Sequence, residues 1–139
     1  MLTEELIKAY YATTYDAEVD GEIINFRAGV HNRKIDEFTL AVDASEWAFV
    51  SACNPYSQLL TDEENLKRHQ LLKNVLEMHG CEYFEGGGIA DEGEWPREQG
   101  LLSIGLSLKQ AIEVGQIFQQ NAIMFCSVGD VAKVISCST

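Results

Sequence analysis

The residues best suited to ligand chemistry follow a short apolar run in the first half of the chain. The run Trp47–Cys53 stops at Asn54-Pro55, and a polar segment that carries Asn65 and Arg68 follows it. Asn amides hydrogen-bond polar groups, and the planar guanidinium of Arg can hold an anionic group at two points. Because ligands in α/β domains bind beyond the carboxyl ends of strands, this pattern predicts a binding site at the end of the Trp47 strand.

Four further residues complete the predicted site. Ser57 lies in the polar loop after Asn54-Pro55, and Glu85 and Glu98 flank a segment rich in Gly and acidic residues. Trp95 lies in that same polar segment, where a large aromatic ring can cover a ligand or anchor the loop to the core. The predicted ligand-binding residues are therefore Asn54, Ser57, Asn65, Arg68, Glu85, Trp95 and Glu98.

Several of these residues also have a structural interpretation. Arg68 can pair with Glu64, Glu85 or Glu98, and pairing is the usual state of a buried arginine. Asn54 can instead bond neighbouring backbone in an Asn-Pro turn. The run 86–88 of three glycines favours a flexible loop over a phosphate-binding loop, because no helix begins after it.

Covalent or metal-dependent catalysis has little support in the sequence. No serine or cysteine lies in a strand-turn-helix elbow, and the three histidines show no nucleophile-base pattern. An oxygen-rich Mg²⁺ site could draw on six carboxylates, but their spacing is more typical of a solvated acidic loop. These carboxylates are Glu82, Glu85, Asp91, Glu92, Glu94 and Glu98. We therefore predict no metal site, name no cofactor and assign no catalytic residue.

Local signals define most of the secondary structure. Thr3 is a candidate N-cap of a short first helix, and Asp20-Gly21 is typical of a two-residue hairpin turn that pairs Val19 with Glu22. Thr61 with Glu64 forms a capping box for a helix that ends near His79.

The order of elements predicts the fold. The buried runs on either side of the Thr61 helix indicate one βαβ unit, and Leu101–Leu106, a capped helix from Ser107 and Ala122–Cys126 indicate a second. Gln120-Asn121 is then expected at the opposite strand end from Asn54, with Asn121 as a left-handed helix cap. We predict an α/β domain, with α+β as the alternative: a single compact domain over residues 1–139, with a mixed sheet of about five or six strands, an N-terminal β-hairpin and flanking helices.

Composition limits the classes of partner and compartment. The chain has 139 residues, a net charge of −12 and 46% hydrophobic residues. That charge argues against direct nucleic-acid binding and permits a basic protein partner. We expect no membrane association, because no apolar run reaches the roughly 18 residues of a membrane span. Four cysteines without metal-site spacing, together with an N-terminus that lacks a basic signal-peptide region, favour a reduced, cytoplasmic protein.

The chain resembles DUF3293, a bacterial family of unknown function, over nearly its whole length. The residues that carry the resemblance are Ala9-Tyr10, Thr13 to Tyr15, Trp47-Ala48-Phe49, Ser51-Ala52, Asn54-Pro55, Ser57, Leu60, Glu64-Asn65, Arg68, Glu85-Gly86, Gly88, Trp95, Glu98, Gly115, Phe118 and Gln120-Asn121-Ala122-Ile123. Within the glycine-rich segment, this chain has Gly87 where the family pattern has arginine. The resemblance implies no established activity. It does mark the same polar positions that the physical argument selects.

Three functional hypotheses remain open on the sequence. The leading one is a non-catalytic module that binds a small polar or nucleotide-like ligand at the strand-end pocket. The second is an enzyme that uses Glu85 or Glu98 as a general base, with or without the assistance of Mg²⁺. The third is an interaction or inhibitor protein whose acidic surface binds a basic protein partner.

Overall fold

One seven-stranded sheet forms the centre of the molecule. The computed structural model describes residues 2–138; residues 1 and 139, the ends of the predicted domain, lie outside the described residues. The elements are α1 (Glu4–Tyr11), β1 (Thr13–Val19), β2 (Glu22–Phe26), α2 (Arg33–Ala41), β3 (Glu46–Val50), a short turn at Pro55–Ser57, α3 (Asp62–Met78), β4 (Glu82–Ala90), β5 (Glu98–Ile104), α4 (Leu108–Ile117), β6 (Ala122–Ser127) and β7 (Lys133–Ser136).

All neighbouring strands in this sheet are antiparallel. The strand order is β2-β1-β4-β5-β3-β6-β7. The domain is therefore α+β, with seven strands instead of about five or six and with no parallel pair among residues 2–138. The prediction of parallel neighbours was wrong: β5 lies between β3 and β4, and β3 lies between β5 and β6. The prediction rested on continuous apolar runs, which indicate that a strand is buried on both faces of the sheet. Helices on both faces of a sheet bury an antiparallel strand as well as a parallel one, so such runs do not determine strand direction.

The N-terminal hairpin has the predicted register. Val19 pairs with Glu22, and Tyr15 pairs with Phe26. Asp20 and Gly21 both have positive φ values, 52° and 80°, as the two central residues of a type I′ turn require. The local Asp-Gly motif therefore determines the turn and the register of the β1–β2 pair at this edge of the sheet.

The predicted helix caps are also confirmed. Thr61 and Glu64 form a reciprocal capping box at the start of α3, and Ser107 and Gln110 form another at the start of α4. Gly80 follows α3 with a φ of 71°. In residues 2–138, no helix is both long and apolar enough to cross a bilayer.

The glycine-rich segment is part of strand β4, so the prediction of a flexible loop was wrong. Gly86 pairs with Ala17 of β1 and with Gly100 of β5. A Cβ atom added at Gly86 would lie 2.0 Å from the backbone oxygen of Asp16. Pairing on both sides fixes this segment, and glycine lets β1 and β4 approach closely.

Two apolar layers cover the two faces of the sheet. Trp47 and Phe49 of β3 pack with α2 on one face, whereas Ala48 and Val50 pack with α3 and α4 on the other. On the α2 face, the ring centroids of Tyr15 and Phe49 lie 5.2 Å apart. This face carries the aromatic rings that border the candidate site.

The α2 face is tightly packed around Gly100 of β5. An added Cβ would lie 2.5 Å from the Phe49 ring and 2.9 Å from the Val50 carbonyl oxygen. We expect Gly100→Ala to lower the free energy of unfolding, measured by urea denaturation, by about 1–3 kcal/mol through overpacking. The same change in a Phe49→Leu background should be less damaging, because the ring atoms are gone. Equal losses in both backgrounds would contradict this account.

Candidate functional site

A cleft of about 690 Å³ opens on the α2 face, beside α1. Its lining includes Tyr10 of α1, Tyr15 of β1, Phe49 of β3 and Met124 of β6. The β4–β5 loop contributes Trp95. The cleft therefore draws on elements that are distant in the sequence.

The antiparallel pairing brings five strand ends to this cleft. Because β3 pairs antiparallel with β5 and β6, its last residues lie beside the first residues of both. The end of β4 reaches the same place, where Gly88 pairs with Glu98. The start of β1 also lies at the cleft, because Thr13 pairs with Ala90 at the end of β4.

Glu98 is the polar centre of the cleft. The Asn54 side-chain amide donates a hydrogen bond to Glu98 Oε2 at 3.0 Å, and Trp95 forms a further side-chain hydrogen bond with this carboxylate. The Ser51 hydroxyl lies 3.3 Å from Glu98 Oε1, but it lies closer, 2.8 Å, to the carbonyl oxygen of Gln99. These donors orient the carboxylate toward the cleft that Glu98 lines.

Burial raises the pKa of Glu98 above its ordinary value of 4.5, although the hydrogen bonds from Asn54, Ser51 and Trp95 act in the opposite direction. Burial, with a smaller contribution from the Glu98 charge, also raises the pKa of Tyr10 to about 12. The pKa of Tyr15 is raised by burial first, then by Tyr10 and Glu98. A carboxyl group with a raised pKa among aromatic rings can accept a hydrogen bond or exchange a proton.

Asn54 is positioned by an unusual backbone and by Asn65. The φ values of Asn54, Tyr56 and Ser57 are 48°, 51° and 62°, a conformation that non-glycine residues rarely adopt. Asn54 donates its backbone N–H to Asn65 Oδ1, and its side-chain oxygen accepts from Asn65 Nδ2, both at 2.9 Å. Asn65 therefore holds Asn54 in position without lining the cleft itself. The backbone strain of these left-handed residues is concentrated at the candidate site.

Gln120 and Asn121 join the same site, so their expected position at the opposite strand end was wrong. Asn121 donates to the Ser57 hydroxyl at 3.1 Å, and Gln120 donates to the Cys53 carbonyl oxygen at 3.0 Å. The left-handed residue is Gln119, with φ 52°, and not Asn121. The cause is the antiparallel pairing of β6 with β3, which reverses the expected end of the strand.

Arg68 lies outside the residues that line the cleft. Its guanidinium donates to the carbonyl oxygens of Ala52 and Phe118 and, at 2.9 Å, to the side-chain oxygen of Gln119. Its partners are two backbone oxygens and one amide side-chain oxygen, not the acidic side chains that the sequence suggested. Arg68 thus ties the segment after β3 to the segment before β6.

Glu85 also lies away from the cleft, on the face covered by α3. Both of its carboxylate oxygens lie 3.0 Å from His69 Nε2, and Lys73 forms an ion pair with it. Burial alone would raise the pKa of Glu85, but the hydrogen bonds from Lys73 and His69 outweigh it and lower the pKa. The predicted residues Glu85 and Glu98 therefore belong to opposite faces of the sheet.

The structure brings together four of the predicted residues, Asn54, Ser57, Trp95 and Glu98, all of which line the cleft. Sequence reasoning did not select Tyr10, Tyr15 or Ser51 for this site. Tyr10 and Tyr15 carry ordinary helix and strand patterns, so no local signal separates them from core residues. Within residues 2–138, no group of three His, Cys, Asp or Glu side chains is arranged to hold a metal ion.

Residues 50–123 match a family model described as "Protein of unknown function (DUF3293)". The match covers more than half of the chain. The chain belongs to the DUF3293 family. No curated protein and no solved structure is significantly similar to it. The DUF3293 segment contains the polar side of the cleft, from Asn54 to Asn121, whereas Tyr10 and Tyr15 lie outside the matched residues.

The contacts of Arg68 predict a structural effect of its removal from this DUF3293 protein. Arg68→Ala leaves the carbonyl oxygens of Ala52 and Phe118 without their side-chain donor. We expect a loss of about 2–4 kcal/mol in the free energy of unfolding measured in urea. The matched control is Lys67→Ala, which removes an exposed cation next along α3 and should change this energy by less than about 0.5 kcal/mol. Equal effects of both variants would refute the role assigned to Arg68.

The raised pKa of Glu98 predicts a pH-dependent stability. Because the native state holds this proton more tightly than the unfolded state, the contribution of Glu98 to stability is fully present below pH 4.5. It is lost as the pH rises through the native-state pKa. We therefore expect the free energy of unfolding of the wild type, minus that of Glu98→Gln, to decrease between about pH 4 and pH 7.

Urea titrations of both proteins at a series of pH values measure this difference. In Glu98→Gln, the altered hydrogen bonds of the new side chain also change the free energy of unfolding. This change is the same at every pH, so it does not affect the slope of the difference. Glu92→Gln, at the exposed rim of the cleft, is the control for a general loss of charge. A difference that grows with rising pH would mean that the native-state pKa of Glu98 is lowered, contrary to this account.

Proposed function

We propose that this DUF3293 protein binds a small organic molecule in the cleft around Glu98. The observation that carries the proposal is the convergence of aromatic rings and oriented polar groups in one cavity. Tyr10, Tyr15, Phe49 and Trp95 provide the aromatic surface, and Glu98 lies among them with its hydrogen-bond donors. Ligand sites typically combine a mainly apolar lining with a few positioned polar groups.

The size of the cleft supports a molecule of metabolite size. Its volume of about 690 Å³ falls within the range of about 300–1,000 Å³ common for small-molecule sites. The rings of Tyr15 and Phe49 are already packed against Phe26, and they are 8% and 6% exposed. One wall of the cavity is therefore built from rigid core residues, which reduces the cost of ordering the site on binding.

Trp95 suits the role of a cover for this ligand. Its side chain is 43% exposed in the β4–β5 loop, whereas it also hydrogen-bonds the carboxylate at the centre of the cleft. A ring held at one edge over a cavity can pack against a planar ligand while its N–H remains engaged. Asn121 and Ser57 also line the cleft and add polar groups to it.

Proton transfer by Glu98 is a second candidate function. A buried carboxyl group with a raised pKa suits general acid-base catalysis better than an exposed one. Glu85, the other candidate base, has a lowered pKa and lies outside the cleft. Catalysis would require a ligand in the same cleft, so binding is the first property to test.

We propose a reducing compartment such as the cytoplasm for this activity. Cys53, Cys126 and Cys137 are buried free thiols, and Cys81 is also unpaired. Burial raises the pKa of Cys53 to about 11 and that of Cys137 to about 11, which keeps both in the unreactive thiol form.

A fragment screen followed by two-dimensional amide NMR tests ligand binding. We expect fragments to perturb the resonances of cleft residues such as Ser51 and Ala122. Trp95→Ala should weaken the best fragment at least about tenfold, because its indole would no longer cover the ligand. Leu66→Ala is the control, since Leu66 is 60% exposed on α3 and does not line the cleft. Perturbations that avoid the cleft, or equal losses in both variants, would refute the proposed function.

A further inference from the structure

We propose that the molecule held in this cleft is a cation, an organic amine whose ammonium group donates to the Glu98 carboxylate between aromatic rings. The inference rests on the proposed function and adds the chemical class of the ligand. Three features of the cleft carry it: the sign of its charges, the acceptor left free on Glu98 and the aromatic surface around that acceptor.

The charges that line the cleft are all negative among the described residues. Asp91, Glu92 and Glu98 contribute carboxylates, and no Lys, Arg or His of residues 2–138 lines it. Arg27, which is not among the lining residues, forms an ion pair with one of these carboxylates, Asp91, at 2.6 Å. With a net charge of −12 on the whole chain, the field in the cleft favours a cation and disfavours a phosphate or carboxylate.

Glu98 retains acceptor capacity for a ligand. A carboxylate accepts about four hydrogen bonds. Asn54 occupies Oε2 at 3.0 Å, and Trp95 supplies one more donor. The single hydroxyl hydrogen of Ser51 favours the Gln99 carbonyl at 2.8 Å over Glu98 Oε1 at 3.3 Å. Asn54, Trp95 and Ser51 therefore fill at most three of about four acceptor positions, and at least one is left for a donor from the ligand.

An ammonium group also compensates for the desolvation of this carboxylate. Taking a charge out of water is unfavourable unless an opposite charge meets it, and no side-chain cation meets Glu98 in the described chain. The surrounding rings add to the attraction, since a cation is stabilised over an aromatic face. Tyr10, Tyr15 and Trp95 place such rings around the same cavity.

Matched probes separate charge from shape. We would titrate the purified full chain with benzylamine, benzyl alcohol and benzoate by calorimetry and amide NMR at pH 7.5. We expect an amine probe to bind at least about tenfold more tightly than its neutral partner, and benzoate to bind more weakly than either benzyl compound.

Glu98→Gln then tests the assigned residue. It should weaken the amine at least about tenfold and leave the alcohol within about twofold. Glu113→Gln removes the same charge from an exposed position on α4 outside the cleft, and it should leave both affinities unchanged within about twofold.

The wild type provides a readout that does not depend on a variant folding. Because the ammonium prefers the ionised carboxylate, its binding should weaken as the pH falls below the pKa of Glu98, and it should release a proton at pH values where that carboxyl group is partly protonated before binding. Calorimetry at about pH 5, in buffers with different ionisation enthalpies, measures this release. Benzyl alcohol should show no proton release.

The outcomes distinguish this inference from the proposed function. If neutral probes bind in the cleft as tightly as amines, the cleft is a ligand site and the inference of a cation is wrong. If benzoate binds best, the inference is also wrong. If no amine perturbs cleft residues at about 10 mM while other fragments do, the cation is again excluded. If no fragment of any charge enters the cleft, the proposed function itself fails.

Discussion

The antiparallel pairing of β3 with both β5 and β6 is the constraint on which the candidate site depends. It turns the start of β5 and the start of β6 toward the end of β3, so that Glu98, Asn121 and Asn54 meet. In a parallel arrangement, the residue that opens β6 would lie a full strand length away from Asn54. The connections through α3 and α4 each pass over one intervening strand to permit this order.

A network of polar contacts then holds the strand ends in place. Arg68 joins the carbonyl oxygens of Ala52 and Phe118, and Asn65 binds both the backbone and the side chain of Asn54. These contacts fix a left-handed backbone at Asn54, which directs its amide toward Glu98. Residues that do not line the cleft thus orient those that do, as supporting residues commonly do in binding sites.

The pKa values of Glu85 and Glu98 are shifted in opposite directions. Glu85 meets His69 and Lys73, and their hydrogen bonds lower its pKa, as expected for a structural ion pair. Glu98 meets only uncharged donors, and burial raises its pKa. A carboxylate kept without a cationic partner is unfavourable for folding, and such groups are concentrated at functional sites.

The sequence alone determined the hairpin at Asp20-Gly21, the capping boxes at Thr61 and Ser107, the family, and the polar residues Asn54, Trp95 and Glu98. Each of the structural features follows from contacts within a few residues, where propensity and side-chain bonding act directly. Only the tertiary structure decided that Arg68 and Glu85 lie outside the cleft, that the glycines form a strand, and that Tyr10 and Asn121 line the cleft with Glu98. The physical reason is that strand pairing joins residues far apart in the chain, and an apolar run is buried equally well beside a parallel or an antiparallel neighbour.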